Sequence, residues 1–378
     1  MKFLIIIGKL MANFIYFFFK LLPTKNKITF ISRQSNVPSI DMILIERKLP
    51  KDIKVVKLCK MLDSGILNKI KYLFHMIVQM YHIATSKIVV LDTYCILIGI
   101  LKHKKSLNVV QMWHALGSFK KFGKSIIDKD EAKKVAGLNA EEVSNLMGMH
   151  KNYDYIFASS SHSSIGFSEA FGYPKSKFKI LPMARLDLVI SEENKKEISN
   201  KIYKIYQISK KKKTILYCPT FRKDKTDKKV IQDLIDNFDY KKYNLIIKLH
   251  PLTNYNFKNS KAIIDKSFQT YEMGFVSDII VTDYSAVIFE LSYLNKPIYL
   301  YAYDMNEYIN KRDFYLDYEK DMPGKICDNL NTLLDAIDNN EYDLDKINKF
   351  RKKYISDCKK SYTEDIVDFL ITLIKSKK

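Results

Sequence analysis

The sequence predicts an α/β protein whose two domains face a common cleft. Two histidines, His114 and His250, each follow an apolar run with the character of a buried strand. A third such run, residues 277–281, ends in polar side chains just before a predicted helix. In open parallel sheets, ligands bind at the carboxyl ends of the strands, beside helix N-termini. Three polar strand ends, spread over about one domain's length of chain, therefore predict a cleft that holds an anion.

Strands and helices alternate along the first half of the chain. Helical segments such as 66–83 separate apolar, strand-like runs, an order that is typical of a parallel sheet covered by helices. Continuous apolar runs such as 87–92 fit strands that are buried on both faces. The predicted strands are 28–32, 53–58, 88–92, 109–113 and 155–158. We assign residues 25–195 to this first domain.

A second series of the same kind begins near residue 214. The polar, lysine-rich stretch 191–213 separates the two series, so the second domain is expected to span residues 205–378. Its final part, 329–378, reads as helical, and one helix there could cross back to the first domain. The predicted strands are 214–218, 245–249, 262–264, 278–281 and 298–301, and the predicted helices between them include 230–238 and 286–294.

Residues 1–24 form an apolar, basic N-terminal segment. The stretch 3–22 is mostly apolar, with Lys2, Lys9 and Lys20 spaced through it. About 20 residues are barely enough to cross a bilayer, and Lys9 interrupts the run. No small-residue cleavage site follows, which argues against a removed secretory signal. We expect a helix that lies on the membrane surface; a buried first helix of the domain and a true membrane span are the alternatives.

The 378-residue chain carries a net charge of +21, almost all from lysine, because arginine occurs only six times. Lysine acts as a diffuse positive charge and favours an anionic membrane, phosphorylated substrates or nucleic acid. Nucleic acid is disfavoured, since no compact basic stripe with interleaved aromatic residues occurs. Coding bias is an alternative explanation of the lysine excess. The five cysteines are odd in number and far apart, which favours the reducing cytoplasm over a disulfide framework.

The first candidate site residue is His114, just past the strand-like run 109–113. Gly117 and Gly123 allow tight backbone turns close to a ligand, and Lys120 adds positive charge. With an ordinary pKa of about 6.5, His114 could take a proton from an alcohol. The competing interpretation is a histidine satisfied by a backbone carbonyl; the adjacent glycines and lysines favour a functional role.

The second candidate is His250, where Pro251 ends the strand and sets the backbone direction. A histidine at this position could stabilise a phosphate oxygen. The alternative is a turn histidine at the rim of a domain.

The third candidate is the strand-to-helix junction that contains Thr282, Asp283 and Ser285. Backbone N–H groups and the Ser285 hydroxyl could hold a phosphate there. Glu290, more than one helical turn further on, could reach a ribose hydroxyl. The alternative is plain capping by Asp283 or Ser285, with Glu290 in solvent.

Scattered polar groups support the same cleft. Arginine binds phosphate in a bidentate manner better than lysine does, although each arginine could equally form a surface ion pair. These supporting residues are Arg185 with Asp187, Thr220 with Arg222, and Arg312. A metal site is not expected. The acidic pairs Asp128/Asp130 and Asp343/Asp345 lie in polar stretches, and the sequence contains no His-Glu-x-x-His or paired-cysteine pattern. No glycine-rich nucleotide fingerprint is present either, and no cofactor is expected.

Together these elements resemble the CDP-glycerol glycerophosphotransferase family, whose enzymes build teichoic acids and related polyol-phosphate polymers. The matches follow the family's order over roughly residues 105–325 and are specific only as a set. They are Trp113-His114, Arg185-Leu186-Asp187, Pro219-Thr220-Phe221-Arg222, His250-Pro251, Ile280-Val281-Thr282-Asp283-Tyr284-Ser285, Lys296-Pro297-Ile298 and Arg312-Asp313-Phe314-Tyr315. Departures occur at Ala115, Ala184 and Asp313, where the family commonly has glycine, and at Ala286, where it has a second serine. They leave open which polyol and which acceptor are used.

The resemblance implies a GT-B-like fold of two Rossmann-like domains, with an acceptor domain at 25–195 and a CDP-donor domain at 205–378. It implies transfer of a polyol phosphate, with CDP-glycerol ahead of CDP-ribitol as the donor. The acceptor would be a lipid-linked saccharide or polyol phosphate at an anionic membrane surface, and the enzyme would lie peripherally on the cytoplasmic face. The alternatives are a GT-B glycosyltransferase that uses a nucleotide sugar and a non-catalytic scaffold at the membrane.

The resemblance also suggests roles for the candidate residues. His114 would be the general base. The groups that hold the diphosphate and its developing charge would be His250, Arg312, Thr282, Ser285, Arg222 and Thr220. The nucleotide and ribose would contact Glu290, Asp283 and Pro251. Acceptor-binding or structural roles would fall to Gly117, Lys120, Arg185 and Asp187.

Overall fold

The computed structural model describes residues 2–127, 138–222, 224–251, 253–258 and 260–376, except for the side chains of residues 311 and 312. The chain divides into two compact units. The first unit consists of Met1–Ala115, Phe122–Arg185 and Ser356–Lys378, and the second of Leu116–Lys121 and Leu186–Ile355. Each unit is built on its own sheet, so the predicted α/β class with two Rossmann-like halves is confirmed.

Each unit contains a six-stranded sheet in which the paired strands run parallel. The first sheet, in the order β2-β1-β3-β4-β5-β6, contains β1 (Lys25–Ser32), β2 (Lys54–Cys59), β3 (Ser86–Leu91), β4 (Asn108–Gln111), β5 (Tyr155–Ala158) and β6 (Phe178–Ile180). The second, in the order β12-β11-β10-β7-β8-β9, contains β7 (Lys213–Cys218), β8 (Tyr243–Ile247), β9 (Ile263–Ile264), β10 (Ile279–Thr282), β11 (Ile298–Tyr301) and β12 (Lys325–Cys327). The strands β6 and β12 were not predicted, because each is only three residues long and contains a lysine.

Helices connect the strands in both units. In the first part of the chain they are α1 (Lys2–Lys20), α2 (Ile40–Lys48), α3 (Ile66–Thr85), α4 (Ile96–Ile100), α5 (Ala140–Leu146) and α6 (Ser163–Phe171). In the second unit they are α7 (Leu186–Ile190), α8 (Glu192–Tyr206), α9 (Asp227–Asp236), α10 (Thr270–Phe275), α11 (Ile288–Leu291), α12 (Met305–Arg312), α13 (Tyr318–Asp321), α14 (Leu330–Asp338) and α15 (Leu344–Tyr354). The final helix is α16 (Tyr362–Lys375), and short 3₁₀ turns lie at Gly123–Ile126, Lys175–Lys177 and Ser292–Leu294.

The helix boundaries follow from local sequence chemistry. Ser39 accepts a hydrogen bond from the backbone N–H of Met42 and so starts α2. Ser191 and Ser361 start α8 and α16 in the same way. Such caps satisfy backbone N–H groups that the first helical turn leaves without partners. Gly172 ends α6 in the left-handed conformation that glycine adopts without strain.

Helix α16 belongs to the first unit, not to the second. Its apolar residues Ile366, Leu370 and Leu373 join the buried core formed with Ile28 of β1 and Val90 of β3. The helix also packs on α2. The long segment of the second unit therefore runs from Leu186 to Ile355, whereas the predicted donor range was 205–378, and the C-terminal helix crosses back to the first unit as the sequence allowed. The reason is the apolar face of α16, which covers the first sheet.

Helix α1 is long and apolar enough to cross a membrane by length and composition, with a mean hydropathy of 1.7. Tyr16 is its one buried side chain among the described residues. It packs against α3 and is also held by polar contacts: the Asn13 side chain donates to the carbonyl of Ile100 at 3.0 Å and accepts from the N–H of Lys102 at 2.9 Å. These features exclude the alternative of a buried core helix.

Candidate functional site

In each sheet the strand order changes direction at one point, between β1 and β3 in the first sheet and between β7 and β10 in the second. In doubly wound folds, ligands bind outside the carboxyl ends of the strands at this switch point. The residues that follow these strand ends therefore define two candidate sites, one in each unit. His114 belongs to the first, because β4 lies directly beside β3.

His114 is held with one ring nitrogen against the backbone. Its Nδ1 lies 2.9 Å from the carbonyl oxygen of Asp92. A carbonyl only accepts, so Nδ1 must carry the proton and Nε2 keeps its lone pair. The side-chain amide of Gln34 lies 3.3 Å from Nε2. The competing interpretation of a carbonyl-bonded histidine is thus correct for one nitrogen, and the other remains chemically available as a base.

The local electrostatics favour the neutral imidazole of His114. Desolvation by surrounding protein atoms lowers its pKa from the ordinary value, although the side chain is exposed to solvent. The bond to the Asp92 carbonyl opposes this shift, and the positive charge of Arg185 lowers the pKa further. A histidine with a lowered pKa is unprotonated near neutral pH, as a general base must be.

The residue before His114 has a strained backbone. Trp113 has φ of 61°, in the left-handed region that bulky side chains rarely adopt. Its ring stacks on Phe122 with a centroid distance of 4.9 Å and meets Phe171 edge-on at 5.2 Å. Such strain costs about 1–3 kcal/mol and persists where surrounding packing enforces it, often at functional sites. Here it turns the chain sharply at the end of β4 and sets the direction of His114.

Arg185 holds this turn from the other side. Its Nη1 lies 2.7 Å from Oδ2 of buried Asp41, and its backbone N–H donates to Asp41 Oδ1 at 2.8 Å. Its Nη2 donates to the His114 carbonyl at 3.1 Å. Of the two predicted roles, acceptor binding or structural, these bonds favour the structural one. Asp41 was not predicted as a site residue, because acidic side chains are common in the first turn of a helix, where they interact favourably with the helix dipole.

Asp92, also missed, lies at the switch point itself. Its side chain is 3% exposed, and Oδ1 has no hydrogen-bond partner among the described residues. Burial raises its pKa to about 6, against the opposing effect of the neighbouring Ser32 and Thr93 hydroxyls. The available signal was its position: an acid that ends the predicted strand 88–92 is a polar strand end like the other three.

Replacement of Asp92 by asparagine is expected to stabilise the first unit above pH 6. The folded state keeps the Asp92 proton up to about pH 6, whereas the unfolded chain loses it near pH 3.9. Wild-type stability from this group is therefore greatest at low pH and falls as the pH rises through this window. At pH 7.5 the variant should gain up to about 3 kcal/mol, and near pH 4 the gain should vanish.

Urea unfolding followed by fluorescence measures this effect, because the single tryptophan, Trp113, reports on the first unit. Asp52→Asn, at an exposed position of the same unit, is the matched control. An equal gain in the free energy of unfolding at both pH values would show that ionisation of buried Asp92 is not the cause.

The second switch point is built around the carboxylate of Asp283, which is 1% exposed. It accepts the backbone N–H of Thr220 at 2.9 Å and the Thr220 hydroxyl at 2.6 Å. Arg222 reaches it through Nη2 at 3.3 Å. Arg222 also binds Asp304 in a bidentate manner, at 2.9 and 3.1 Å. The two acids raise the pKa of Arg222 even though burial opposes its charge.

Several of the residues predicted to contact phosphate or ribose belong to this network. Thr220, Arg222 and Asp283 direct their polar side-chain atoms at one another and shape the loops after β7 and β10. Thr282 is fully buried, and its hydroxyl donates to the Cys218 carbonyl at 2.9 Å. Its proton is therefore used inside the sheet, and we assign it a structural role. Asp304 was missed because no pattern in the sequence marks it as a partner of Arg222.

Residues 116–121, which follow His114, pack within the second unit. A Cβ added at Gly117 would lie 2.2 Å from the ring of Phe289, so glycine serves close packing rather than approach to a ligand. Phe119 stacks on Phe314 at 4.9 Å. Lys120 pairs in an isolated β-bridge with Phe314, and its ammonium lies 5.4 Å from the ring centre of Tyr308.

Asp313 stands where the related family commonly has glycine, and the structure gives the reason. Its φ is 59°, a backbone conformation that favours glycine. Its side chain compensates locally, because it accepts the N–H of Phe314 at 2.8 Å and the Lys121 ammonium at 2.7 Å.

We expect Asp313→Gly to be nearly neutral, since relief of strain offsets the lost contacts, and Asp313→Ala to destabilise the protein by about 1 kcal/mol. Thermal unfolding of both variants measures the difference. The prediction fails if the alanine variant is the more stable of the two.

The remaining candidate residues in the second unit differ in how exposed their side chains are. His250 and Pro251 are exposed at the end of β8, and the His250 ring lies 5.6 Å from that of Phe221. Desolvation and the charge of Lys120 lower the His250 pKa. Ser285 is half-buried, whereas Glu290 is buried, so the interpretation of Glu290 as a solvated residue is wrong.

Three further groups remain. Asp187 lies half-buried in α7. The Arg312 side chain and the pair Asp128/Asp130 lie outside the described residues. Among the residues that are described, no group of three or more His, Cys, Asp or Glu side chains could hold a metal ion.

Known proteins resemble the chain over nearly its full length. It is 29% identical over 371 residues to a teichoic acid ribitol-phosphate primase of Bacillus spizizenii, with 94% of each chain covered. It is 29% identical over 312 residues to a teichoic acid glycerol-phosphate primase of Bacillus subtilis, covering 79% of this chain and 77% of the primase. A poly(ribitol-phosphate) polymerase of B. spizizenii is 31% identical over 95% of this chain, which spans 58% of that enzyme.

Solved structures support the fold. The wall teichoic acid polymerase TagF matches with a TM-score of 0.73 at 20% identity, covering 99% of this chain and 98% of that one. A UDP-GlcNAc 2-epimerase from Neisseria meningitidis matches with a TM-score of 0.56 at 15% identity, over 92% and 99% of the two chains. The predicted GT-B-like class is thus confirmed.

The sequence resemblance is also confirmed at the level of the family. The family model for CDP-glycerol:poly(glycerophosphate) glycerophosphotransferases matches residues 14–372, and this range includes both switch points, His114 and His250. With the strand ends arranged as described, the chain belongs to the CDP-glycerol:poly(glycerophosphate) glycerophosphotransferase family.

Proposed function

We propose that the protein transfers a polyol phosphate from a CDP-polyol to a hydroxyl of a membrane-linked, teichoic-acid-type acceptor and releases CMP. Glycerol phosphate is the first candidate for the transferred unit. The observation that carries the proposal is the state of His114: a neutral imidazole with Nδ1 bound to the Asp92 carbonyl and an unprotonated Nε2 that can act as a base, in a chain of this transferase family.

In the proposed reaction, the acceptor oxygen attacks the phosphorus that bears the polyol. A new O–P bond forms, and the bond from this phosphorus to the oxygen bridging the two phosphates breaks. His114 Nε2 takes the acceptor proton, and the bridging oxygen leaves with CMP. A positioned base of this kind contributes about 10²–10⁴-fold in rate. The remaining catalysis comes from charge stabilisation around the transferred group.

On the donor side, we assign the diphosphate to His250, Ser285 and Arg312. Because its pKa is lowered, His250 acts as a neutral hydrogen-bond donor rather than as a cation. Lys120, whose charge contributes to that shift, supplies positive charge near His250. Buried Glu290 is assigned to the ribose hydroxyls, where a desolvated carboxylate accepts hydrogen bonds strongly.

CDP-ribitol is the second candidate donor. It is favoured by the likeness to the ribitol-phosphate primase, which extends over 94% of both chains. The deciding experiment measures CMP release with CDP-glycerol and with CDP-ribitol, each with a synthetic lipid-linked acceptor, followed by mass analysis of the product. Transfer of sugar from UDP- or GDP-sugars, with no CMP release from either CDP-polyol, would overturn the proposal in favour of a glycosyltransferase.

We further propose that the protein lies peripherally on the cytoplasmic face of the membrane. Helix α1 exposes Phe14, Phe17 and Phe18, and α3, which packs against α1, exposes Leu67 and Phe74. Apolar residues on neighbouring helices, flanked by lysines, are typical of interfacial binding. An interfacial helix predicts that alkaline carbonate washing releases the protein from membranes; retention would instead favour a membrane span.

A further inference from the structure

A basic pocket lies in the first unit, away from the strand ends that carry His114. It has a volume of about 820 Å³ and is bounded by α1, by the loop between α4 and β4, and by the residues just before β5. Since β4 and β5 begin there, the pocket lies at the amino edge of the sheet, whereas His114 follows the carboxyl end of β4. No step of the proposed reaction uses it.

The pocket is strongly positive. Five lysines line it, together with His103 and one carboxylate: Lys9, Lys102, Lys104, Lys105 and Lys177. The carboxylate, Asp154, accepts the backbone N–H of Val109 at 2.8 Å. Among the described residues, no acidic side chain lies within ion-pair distance of these five ammonium groups. Burial lowers the pKa of Lys104, and the positive charge of nearby Lys20 lowers it further.

Cations crowded without acidic partners repel one another, and an anion in the pocket would relieve that repulsion. Two hydrogen bonds hold the lysine-rich loop against the end of α1. The Lys104 ammonium donates to the Leu22 carbonyl just past α1, and the Lys20 ammonium donates to the Lys102 carbonyl at 3.0 Å. These bonds join the lysine-rich loop to the apolar helix as one local structure.

Apolar surface borders the same pocket. Ile6 and Leu10 of α1 line it and are exposed, and Phe14 is exposed one turn further along the helix. A free phosphate would use the lysines and leave this apolar border unused. An amphiphile with an anionic head would use both, with the phosphate among the lysines and its acyl chains along α1.

We propose that this pocket binds the phosphate headgroup of an anionic membrane phospholipid. The proposal rests on the membrane location proposed above and makes it specific, because it assigns headgroup recognition to the loop between α4 and β4. Binding there would hold the first unit on the membrane in one orientation while leaving the carboxyl edge of its sheet free for the reaction.

The test measures vesicle binding of the full-length protein. Phosphatidylcholine vesicles with and without phosphatidylglycerol are compared for wild type, for Lys102→Gln/Lys105→Gln, and for the control Lys196→Gln/Lys204→Gln on α8. All four lysines are exposed, and the two pairs remove equal charge. We expect the pocket variant to lose about 10- to 30-fold in phosphatidylglycerol-dependent binding, and the control to lose less than about threefold.

A second comparison uses two lysines of α1 to test whether binding depends on the pocket. Lys9 lines the pocket and Lys2 does not. Lys9→Gln should therefore weaken binding several-fold more than Lys2→Gln. If the pocket variant and its α8 control lose equal binding, or if Lys9→Gln and Lys2→Gln do, the attraction is diffuse and the proposal is overturned. Unchanged vesicle binding of the pocket variant would also overturn it.

Activity separates this proposal from the proposed function. With a soluble acceptor and no vesicles, the pocket variant should release CMP as fast as wild type, and unchanged thermal unfolding would show that it is folded. If wild type binds phosphatidylglycerol vesicles through the pocket but never releases CMP, the proposed function fails and the headgroup site stands. If CMP is released while both lysine pairs behave alike, the headgroup site fails and the function stands.

Discussion

Replacement of His114 by glutamine is expected to lower kcat by about 10²–10⁴-fold, the usual contribution of a positioned general base. Glutamine can still donate to the Asp92 carbonyl, so the turn after β4 should survive while the proton acceptor is lost. The affinity for the CDP-polyol should change little, because His114 is assigned to the acceptor proton and not to the donor. The measurement is CMP release under single-turnover conditions, together with thermal unfolding of both proteins.

The pH dependence provides the second readout for His114. Its pKa is lowered, so wild-type kcat/KM should be flat above neutrality and fall on the acidic side, with a midpoint below the ordinary value of about 6.5. In the glutamine variant this acidic limb should disappear. His75→Gln on α3, away from the strand ends that carry His114, is the matched control. It should keep the wild-type rate and the acidic limb of the pH profile. Near-normal turnover in His114→Gln would exclude the general-base role.

Replacement of Asp283 by alanine is expected to destabilise the second unit by about 3–5 kcal/mol. The change removes the partner of a buried arginine and leaves Arg222, whose side chain is 8% exposed, with an incompletely balanced charge. It also leaves the Thr220 N–H and hydroxyl without the acceptor that now binds both. The loops after β7 and β10 should lose their shape, so donor binding should weaken together with stability.

Hydrogen exchange measured over residues 213–222 and 279–287 localises this effect, because faster exchange should be confined to the second unit. The control is Glu197→Ala on α8, which removes an exposed ion pair with Lys201 in the same unit; it should change the free energy of unfolding by less than about 0.5 kcal/mol. Arg222→Met, which removes the buried cation, should partly restore stability in the Asp283→Ala background. Additive losses in the double variant would refute the coupling.

Much of the architecture was predictable because it depends on local patterns. Apolar runs such as 28–32 and 88–92 became strands buried on both faces, and serine caps set helix starts. The histidines at strand ends were predictable for the same reason: the end of an apolar run and the residue that follows it are both visible in the sequence. That a C-terminal helix could cross back to the first domain was foreseen, but not that it would be α16, because an amphipathic helix does not encode which sheet it will cover.

The amino-acid order alone determined the α/β class, the alternation of strands and helices, the family motifs and the positions of His114 and His250 at strand ends. Only the tertiary structure decided that Arg222 and Asp283 bind each other, that Thr282 bonds within the sheet, that Asp92 lies buried beside His114, and that lysines gather beneath α1. The partners of Arg222 lie 61 and 82 residues away along the chain. The sequence specifies the charge and the hydrogen-bonding groups of each side chain. Which partner each group binds depends on how distant segments of the chain pack together.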